Sequence, residues 1–235
     1  MTSLHQDGLL SPVRIFVQAR MSSSRFPGKM LAPFLGRPMI ACVTDRLIKA
    51  GFKDRVIVLT GSGESDDPLA DYVERRLELP CFRGDTDNVL RRFQAALRIY
   101  EAEWIIRVSG DSPMIDGELV AAVAERRGAG FDLLTNVLRR TFPQGQSIEC
   151  IRARSLAELD ADALSADDTE HVTTHLYRNA GRYRICSIIC QDAGADRGRH
   201  VVDTIEDLRS LERLALSAPA LFSGFAQRAV VETGA

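Results

Sequence analysis

Short apolar runs recur through the first half of the chain, at 13–17, 56–60, 80–83, 104–109 and 131–136, with helix-patterned stretches between them. VRIFV, VIVLT and WIIRVS are nearly continuous in apolar character and rich in β-branched residues, as a strand buried on both faces requires. The intervening stretches carry a different period. Over 39–50, Ile40, Val43, Leu47 and Ile48 share one face and Gly51 follows the end. A helix from Pro68 runs to about 77, and a third, capped by Thr86 or Asp87, turns Val89, Leu90, Phe93, Ala96, Leu97 and Tyr100 inward. Asp116 caps a fourth, ending near 127. Strand and helix in alternation predict an α/β fold with a mostly parallel sheet and helices on both faces. A (β/α)8 barrel shares the alternation but not the irregular stretch at 136–151.

Beyond 136 the rhythm changes. Strands are predicted at 147–151, 183–190 and 200–203, and helices at 155–159, 168–179 and 206–217. The last stretch, 217–235, is Ala-rich and weakly patterned, and helix is the reading it allows. Residues 1–12 read as a lead-in without the basic region and long apolar run of a signal peptide. No apolar run approaches the ~20 residues that span a bilayer, so no membrane association is expected. A net charge of −2 argues against a nucleic-acid partner, and any basic cluster must be local. The five cysteines are odd in number and contain no CxxC pair, which suits reduced thiols in a cytoplasmic protein.

One such basic cluster follows the first strand. Gln18, Ala19 and Arg20 lead into Met21 and the hydroxyl run Ser22, Ser23, Ser24, and then into Arg25, Pro27, Gly28 and Lys29. Small residues let backbone N–H groups approach phosphate oxygens, and Arg and Lys add charge-assisted bonds, so the loop suits a polyphosphate. It lies where an open α/β sheet places its ligand crevice. A P-loop would need Gly at 23 and Ser or Thr at 30, where Ser23 and Met30 stand. The dinucleotide fingerprint fails at Asp66, three residues after Gly61-Ser62-Gly63. A basic surface loop that merely turns at Gly and Pro is the alternative.

Two aspartates stand directly after strands. Asp111 follows 104–109 within GDSP, and Asp203 follows His200-Val201-Val202. Carboxylates there commonly hold Mg²⁺ together with phosphate oxygens; the alternatives are loop and N-cap duty. His171 and His175 stand at i, i+4, a zinc-capable spacing, but without Glu at 172 or further ligands nearby, so a polar helix face or a substrate contact is the better reading. Arg107 is an ion-pair partner or a ligand contact. Arg91-Arg92 and Arg139-Arg140 read as solvated faces. No GxSxG surrounds the serines, so nucleophilic serine chemistry is not indicated.

Taken together, QARMSSSRFPGKML, FRGDTDNVLRRF, IIRVSGDSPMID, EHVTTHLYRN and VVDTIEDL resemble the cytidylyltransferases that activate acidic sugars, closest to the spore-coat polysaccharide branch, over about residues 13–216. The resemblance implies a nucleotide-diphospho-sugar transferase fold, a three-layer α/β/α sandwich. It implies transfer of CMP from CTP to an acidic sugar with release of pyrophosphate, Mg²⁺ as cofactor and a homodimer. Carried onto this chain, Arg20, Arg25 and Lys29 would hold the triphosphate, with Arg20, Lys29 and Asp111 acting in catalysis. Gln18, Ala19, Met21 and Ser22 would lie along the nucleotide, and Asp111 and Asp203 would bind Mg²⁺. Gln146, Glu149, His171 and Arg107 would shape the sugar pocket. A nucleotide-binding half at about 13–136 would precede a sugar-binding and oligomerisation part at about 137–216, with 217–235 as a tail. The chain departs from the family pattern at Ser22, at Gln144 and Ser147 where relatives often carry aspartates, and at Ile205 where proline is common. A glycosyltransferase would more commonly show Asp-x-Asp where Asp111-Ser112-Pro113 stands. A non-catalytic nucleotide binder of the same fold is the other reading.

Overall fold

The computed structural model describes residues 12–128, 130–191 and 198–232, so the lead-in at 1–11 lies outside the described residues. Strand β1 (Val13–Gln18) opens the chain. A small hairpin of β2 (Pro33–Phe34) and β3 (Arg37–Pro38) leads to α1 (Met39–Leu47), which continues into a π turn over Ile48–Phe52. Then follow β4 (Val56–Gly61), α2 (Asp67–Arg75), β5 (Cys81–Gly84), α3 (Val89–Ile99), β6 (Trp104–Ser109), α4 (Gly117–Glu125) and β7 (Leu133–Thr135). The remainder comprises β8 (Glu149–Arg152), α5 (Ala153–Ala157), α6 (Ala166–Glu170), α7 (Thr174–Arg178), β9 (Ile185–Cys190), α8 (Ile205–Ser217), α9 (Phe225–Arg228) and β10 (Ala229–Glu232).

Eight strands form one sheet in the order β10-β9-β7-β8-β6-β1-β4-β5. β1, β4, β5, β6, β7 and β9 run one way, and β8 and β10 the other. Alternation of side chains along the strands builds two cores. On one face Val13, Ile15 and Val17 of β1 join Val56 and Val58 of β4 and Trp104, Ile106 and Val108 of β6, covered by α1, α2, α4 and α8. On the other, Phe16, Ile57, Leu59 and Ile105 pack under α3, α5 and α7, with Phe16 edge-on to Phe93 at 5.5 Å between ring centres. The result is the expected three-layer α/β/α sandwich.

Caps settle several local questions. Asp116 caps α4 through the Glu118 N–H, as expected, and its second oxygen accepts from Phe225 N at 3.1 Å. At α3 the cap is Asn88 rather than Thr86 or Asp87, because Asp85 accepts from both Asp87 N and Asn88 N and rolls the chain on by one residue. α8 is capped by Thr204 in a capping box with Asp207, so Asp203 is free of that duty.

Four expectations are corrected. The helix over 168–179 is two helices, α6 and α7, broken at 171–173. The β-branched run Val172, Thr173, Thr174 is poorly suited to a helix interior, and Val172 is fully buried. Residues 200–203 form no strand but an extended segment held by backbone bonds from His200 N to Gln144 O and from Val202 N to Asp111 O. Arg92 is not on a solvated face: it is fully buried and donates to the Asp85 carbonyl at 3.0 Å, while Arg91 is exposed and pairs with Asp162. The stretch from 217, read as a weakly patterned tail, joins the sheet. Phe222 and Phe225 are buried, Phe225 stacks edge-on to Phe142, and β10 pairs with β9 from Ala229↔Cys190 to Glu232↔Ser187. The Ala-rich pattern of this stretch reads as helix, and its place in the sheet is set by the pairing with β9. Among the described residues no cysteine forms a disulfide. No helix among the described residues is long and apolar enough to cross a membrane.

If the C-terminal stretch belongs to the core, Phe225→Ala should cost about 3 kcal/mol, as truncation of a buried ring does. Urea denaturation measures it. A loss below about 0.5 kcal/mol, the range of surface substitutions, would contradict the assignment.

Candidate active site

Lys29, Asp111 and Asp203, far apart in sequence, meet at the carboxyl end of the parallel strands. β1 delivers the first loop, and Ala19 N donates to Leu59 O at 3.0 Å, tying the loop's start to β4. Met21 is the loop's anchor. Its carbonyl accepts from Ser23 N and Gly28 N, both at 2.9 Å, and its N–H donates to Asp66 Oδ1 at 2.7 Å. Gly28, at φ +77°, then turns the chain into a single 3-10 turn, Lys29–Leu31, where Cβ-bearing residues would be strained. That turn points Lys29 inward, where it is 6% exposed.

The Lys29 ammonium donates to Asp111 Oδ2 at 3.1 Å, to Asp203 Oδ1 at 3.2 Å and to the Val202 carbonyl at 2.9 Å. Asp111, at the end of β6, accepts from Ser109 Oγ at 2.6 Å, which fixes its second oxygen. Asp203 is positioned from the opposite side. Gln144 N donates to Gly198 O, and Arg199 Nη1 donates to Gln144 Oε1 at 3.0 Å. Gly145 lies so close to His200 that a Cβ there would come within 2.6 Å of the His200 carbonyl. Asp203 also pairs with Arg25 Nη2 at 3.1 Å and with Arg199. Burial pushes the Asp203 carboxyl up, but the Lys29 bond and charge, with Arg25 and Arg199, bring it below the usual carboxylate range.

A cavity of about 310 Å³ opens over these groups. It is lined by Gln18, Ala19, Arg20, Ser23, Ser24, Arg25 and Lys29 from the first loop and by Arg107, Asp111, Glu170, His171 and Asp203 from elsewhere. Met21 and Ser22 are not on its wall. Arg20 reaches across to Glu170 at 3.7 Å.

Arg107 rises from β6 into the cavity, its Nε on Gln18 Oε1 at 3.1 Å and its Nη1 on Glu149 Oε2 at 2.5 Å. Glu149, from the antiparallel β8, lies beneath and does not line the cavity. Its other oxygen accepts from Tyr177 Oη at 2.6 Å, and that phenol contacts Thr135 Oγ1 at 2.9 Å. Burial pushes the Glu149 carboxyl up, yet the charge of Arg107 and the bonds from Tyr177, Thr173 and Arg107 hold it below its ordinary value. Burial and the adjacent carboxylate push the Tyr177 phenol up, so it remains a donor.

Gln146 is brought elsewhere. It is fully buried, accepting from Asp116 N at 2.7 Å and donating to Met114 O at 2.8 Å, so it braces the turn after Asp111 rather than facing the cavity. His171 and His175 part company at the helix break: His171 lines the cavity, whereas His175 packs against Tyr183. Among the described residues no group of three or more His, Cys, Asp or Glu could hold a metal ion. The residue that sequence reasoning missed is Asp66. It broke the glycine fingerprint, and its buried carboxylate is what pins Met21. A buried acid beside this loop has no local pattern to reveal it.

The donor set nevertheless fits a hard divalent cation. An ammonium held by both carboxylates marks a point where either stabilises positive charge, and the ligands on offer there are all oxygens. Two carboxylates leave most of an octahedral shell to water and substrate phosphate.

A family model described as cytidylyltransferase matches residues 15–233. The chain belongs to the cytidylyltransferase family. It is 27% identical over 214 residues to the spore coat polysaccharide biosynthesis protein SpsF of Bacillus subtilis, covering 87% of each chain. It is 34% identical over 112 residues to the 3-deoxy-manno-octulosonate cytidylyltransferase of Syntrophobacter fumaroxidans, covering 46% of this chain and 44% of that one. A solved cytidylyltransferase from Leptospira borgpetersenii superposes with a TM-score of 0.84 at 26% identity over 92% of each chain. This cytidylyltransferase is therefore a nucleotidyltransferase, which sets the glycosyltransferase reading aside.

The Arg107–Glu149 pair, its carboxylate buried and its guanidinium half-buried, gives a pH signature. A depressed folded-state value means stability fully present above the ordinary Glu range of about 4.3 and lost as pH falls through the lower folded value. Glu149→Gln should cost about 3 kcal/mol at about pH 7, by leaving Arg107 unpaired, and should flatten the loss of stability between about pH 5 and pH 3. Urea denaturation at both pH values measures this, and an unchanged acid limb would remove Glu149 from the account.

Proposed function

We propose that this cytidylyltransferase transfers CMP from CTP to a hydroxyl of an acidic sugar, of the octulosonate or nonulosonate kind, releasing pyrophosphate. The observation that carries the reading is Lys29 bonded to both Asp111 and Asp203 at the end of the first loop, a cation and two carboxylates gathered where a triphosphate and its metal are handled together. The names of the relatives support the nucleotide and the acidic acceptor.

In this reading Arg20, Arg25 and Lys29 bind the triphosphate by charge-assisted bonds. Gln18 and Ala19 lie along the base and ribose, and Met21 and Ser22, off the cavity wall, support the loop behind them. Asp111 and Asp203 would hold Mg²⁺, which when bound supplies positive charge to the phosphate oxygens. The acceptor oxygen forms its bond to the α-phosphorus as the bond to the pyrophosphate oxygen breaks. The chain's contribution is to align the two in line and to neutralise charge growing on the leaving group. Arg107 has its orientation locked by Glu149, and His171 lines the same cavity, so these two are assigned to the sugar's carboxylate and hydroxyls. Gln146 serves only as a brace. The nucleotide is thus handled mainly by about 13–136, with Asp203 reaching in from the part that follows, and the acceptor by Arg107 together with that later part.

The test is pyrophosphate release with Mg²⁺, each nucleoside triphosphate in turn, against acidic and neutral sugars. Release with CTP and an acidic sugar is expected. Release with another triphosphate, or only with a neutral sugar, would overturn the respective half of the reading. Lys29→Ala and Asp111→Ala should each lower turnover by about 100-fold or more with the fold retained. A near-normal rate would remove that residue from the mechanism.

A further inference from the structure

The Lys29 ammonium has three N–H donors, and in this structure all three are spent, on Asp111 Oδ2, the Val202 carbonyl and Asp203 Oδ1. None is left for a phosphate. Nor is there room for a second cation between the carboxylates, because Nζ stands at 3.1 and 3.2 Å from their oxygens and the side chain is only 8% exposed. A divalent ion bound by both aspartates needs their oxygens at about 2.1 Å, around the point that Nζ now holds.

We propose that Lys29 is a resident cation that holds Asp111 and Asp203 together while no nucleotide is bound, and that it yields the site to a divalent ion only when a triphosphate draws it away. The inference rests on the assignment of these two carboxylates as metal ligands. The surrounding charge favours the resident state. Asp203 already faces Arg25 and Arg199 as well as Lys29, so a lone divalent ion would enter a site whose negative charge is spent. A triphosphate changes that balance. Its oxygens compete for the guanidinium of Arg25 and for the Lys29 ammonium, whose flexible stem lets it turn from carboxylate to phosphate. The freed carboxylates then have a vacancy of one positive group, which the ion accompanying the nucleotide fills. Lys29 thereby exchanges one set of partners for another, and metal affinity becomes conditional on nucleotide.

Mn²⁺ serves as the probe, titrated into the full chain without nucleotide and read by electron paramagnetic resonance. Lys29→Met keeps the stem and removes the charge. It should bind Mn²⁺ about tenfold or more tightly than the wild-type chain, and Mn²⁺ should raise its melting temperature but not that of the wild type. Equal affinities, in a Lys29→Met chain with wild-type circular dichroism, overturn the exchange. A Lys29→Met chain that is unfolded without metal but folds on adding Mn²⁺ supports it, and one that Mn²⁺ fails to fold overturns it. Asp111→Asn separates this inference from the reading beneath it. With CTP and no acceptor, protein-bound Mn²⁺ read by water-proton relaxation should be lost in Asp111→Asn. Retention there removes the metal assignment itself. Loss there, combined with equal affinities in the nucleotide-free titration, leaves the assignment standing and removes only the exchange.

Discussion

The site is organised by the burial of one positive charge. An ammonium that is almost fully removed from water is tolerated only with close partners of opposite sign and with its remaining donors satisfied. Lys29 obtains both from Asp111, Asp203 and the Val202 carbonyl. Those partners come from the end of β6 and from the extended segment before α8, so the requirement joins three distant parts of the chain. Much of the nearby architecture serves that meeting. Asp66 and the Met21 turn aim Lys29, Ser109 steadies Asp111, and the Gln144–Gly145 corner presses the 198–203 segment into place.

A second pair, half-buried Arg107 with buried Glu149, joins the parallel half of the sheet to the mixed half. Arg107 belongs to β6 and Glu149 to the antiparallel β8 beside it, in register at Arg107↔Glu149. Through Tyr177 and Thr135 the same carboxylate reaches α7 and β7. The side of the cavity assigned to the acceptor is thus built on a network of rigid, mutually satisfied groups, while the triphosphate side is built on a loop. That division suits the chemistry: the acceptor hydroxyl must be aimed, whereas the phosphates must be wrapped and then released.

The parallel strands were legible because both of their faces are buried. VRIFV, VIVLT and WIIRVS carry the continuous apolar character that such burial demands, and Asp111 follows directly from where WIIRVS ends. The first loop was legible from its cations. What lay beyond local pattern was set by contacts across the fold. The strand expected at 147–151 is there as β8, but its antiparallel direction is set by its pairing with β6 and β7, and β10 lies in an Ala-rich stretch whose pattern reads equally as helix. Arg92 reads as solvated beside Arg91 because nothing local shows that its side chain folds back against Gly84 and the Asp85 carbonyl. Asp203 stands out in the sequence as a carboxylate after the apolar residues Val201 and Val202, but its placement depends on Val202 N meeting the Asp111 carbonyl, not on the strand predicted there. The family resemblance assigns both Gln146 and Glu149 to the sugar, but Gln146 bonds to Asp116 N and Met114 O while Glu149 bonds to Arg107 and Tyr177, so the two have different tasks.

The central claim is that the two aspartates and the first loop form one site for a nucleotide and its metal. It is tested most directly by the crystal structure of the chain with CTP and Mn²⁺, with the ion located by anomalous scattering. The account predicts one Mn²⁺ coordinated by Asp111, Asp203 and the triphosphate, with Lys29 turned onto a phosphate oxygen. An ion bound away from either aspartate, or a triphosphate lying outside the Arg20–Lys29 loop, would contradict it.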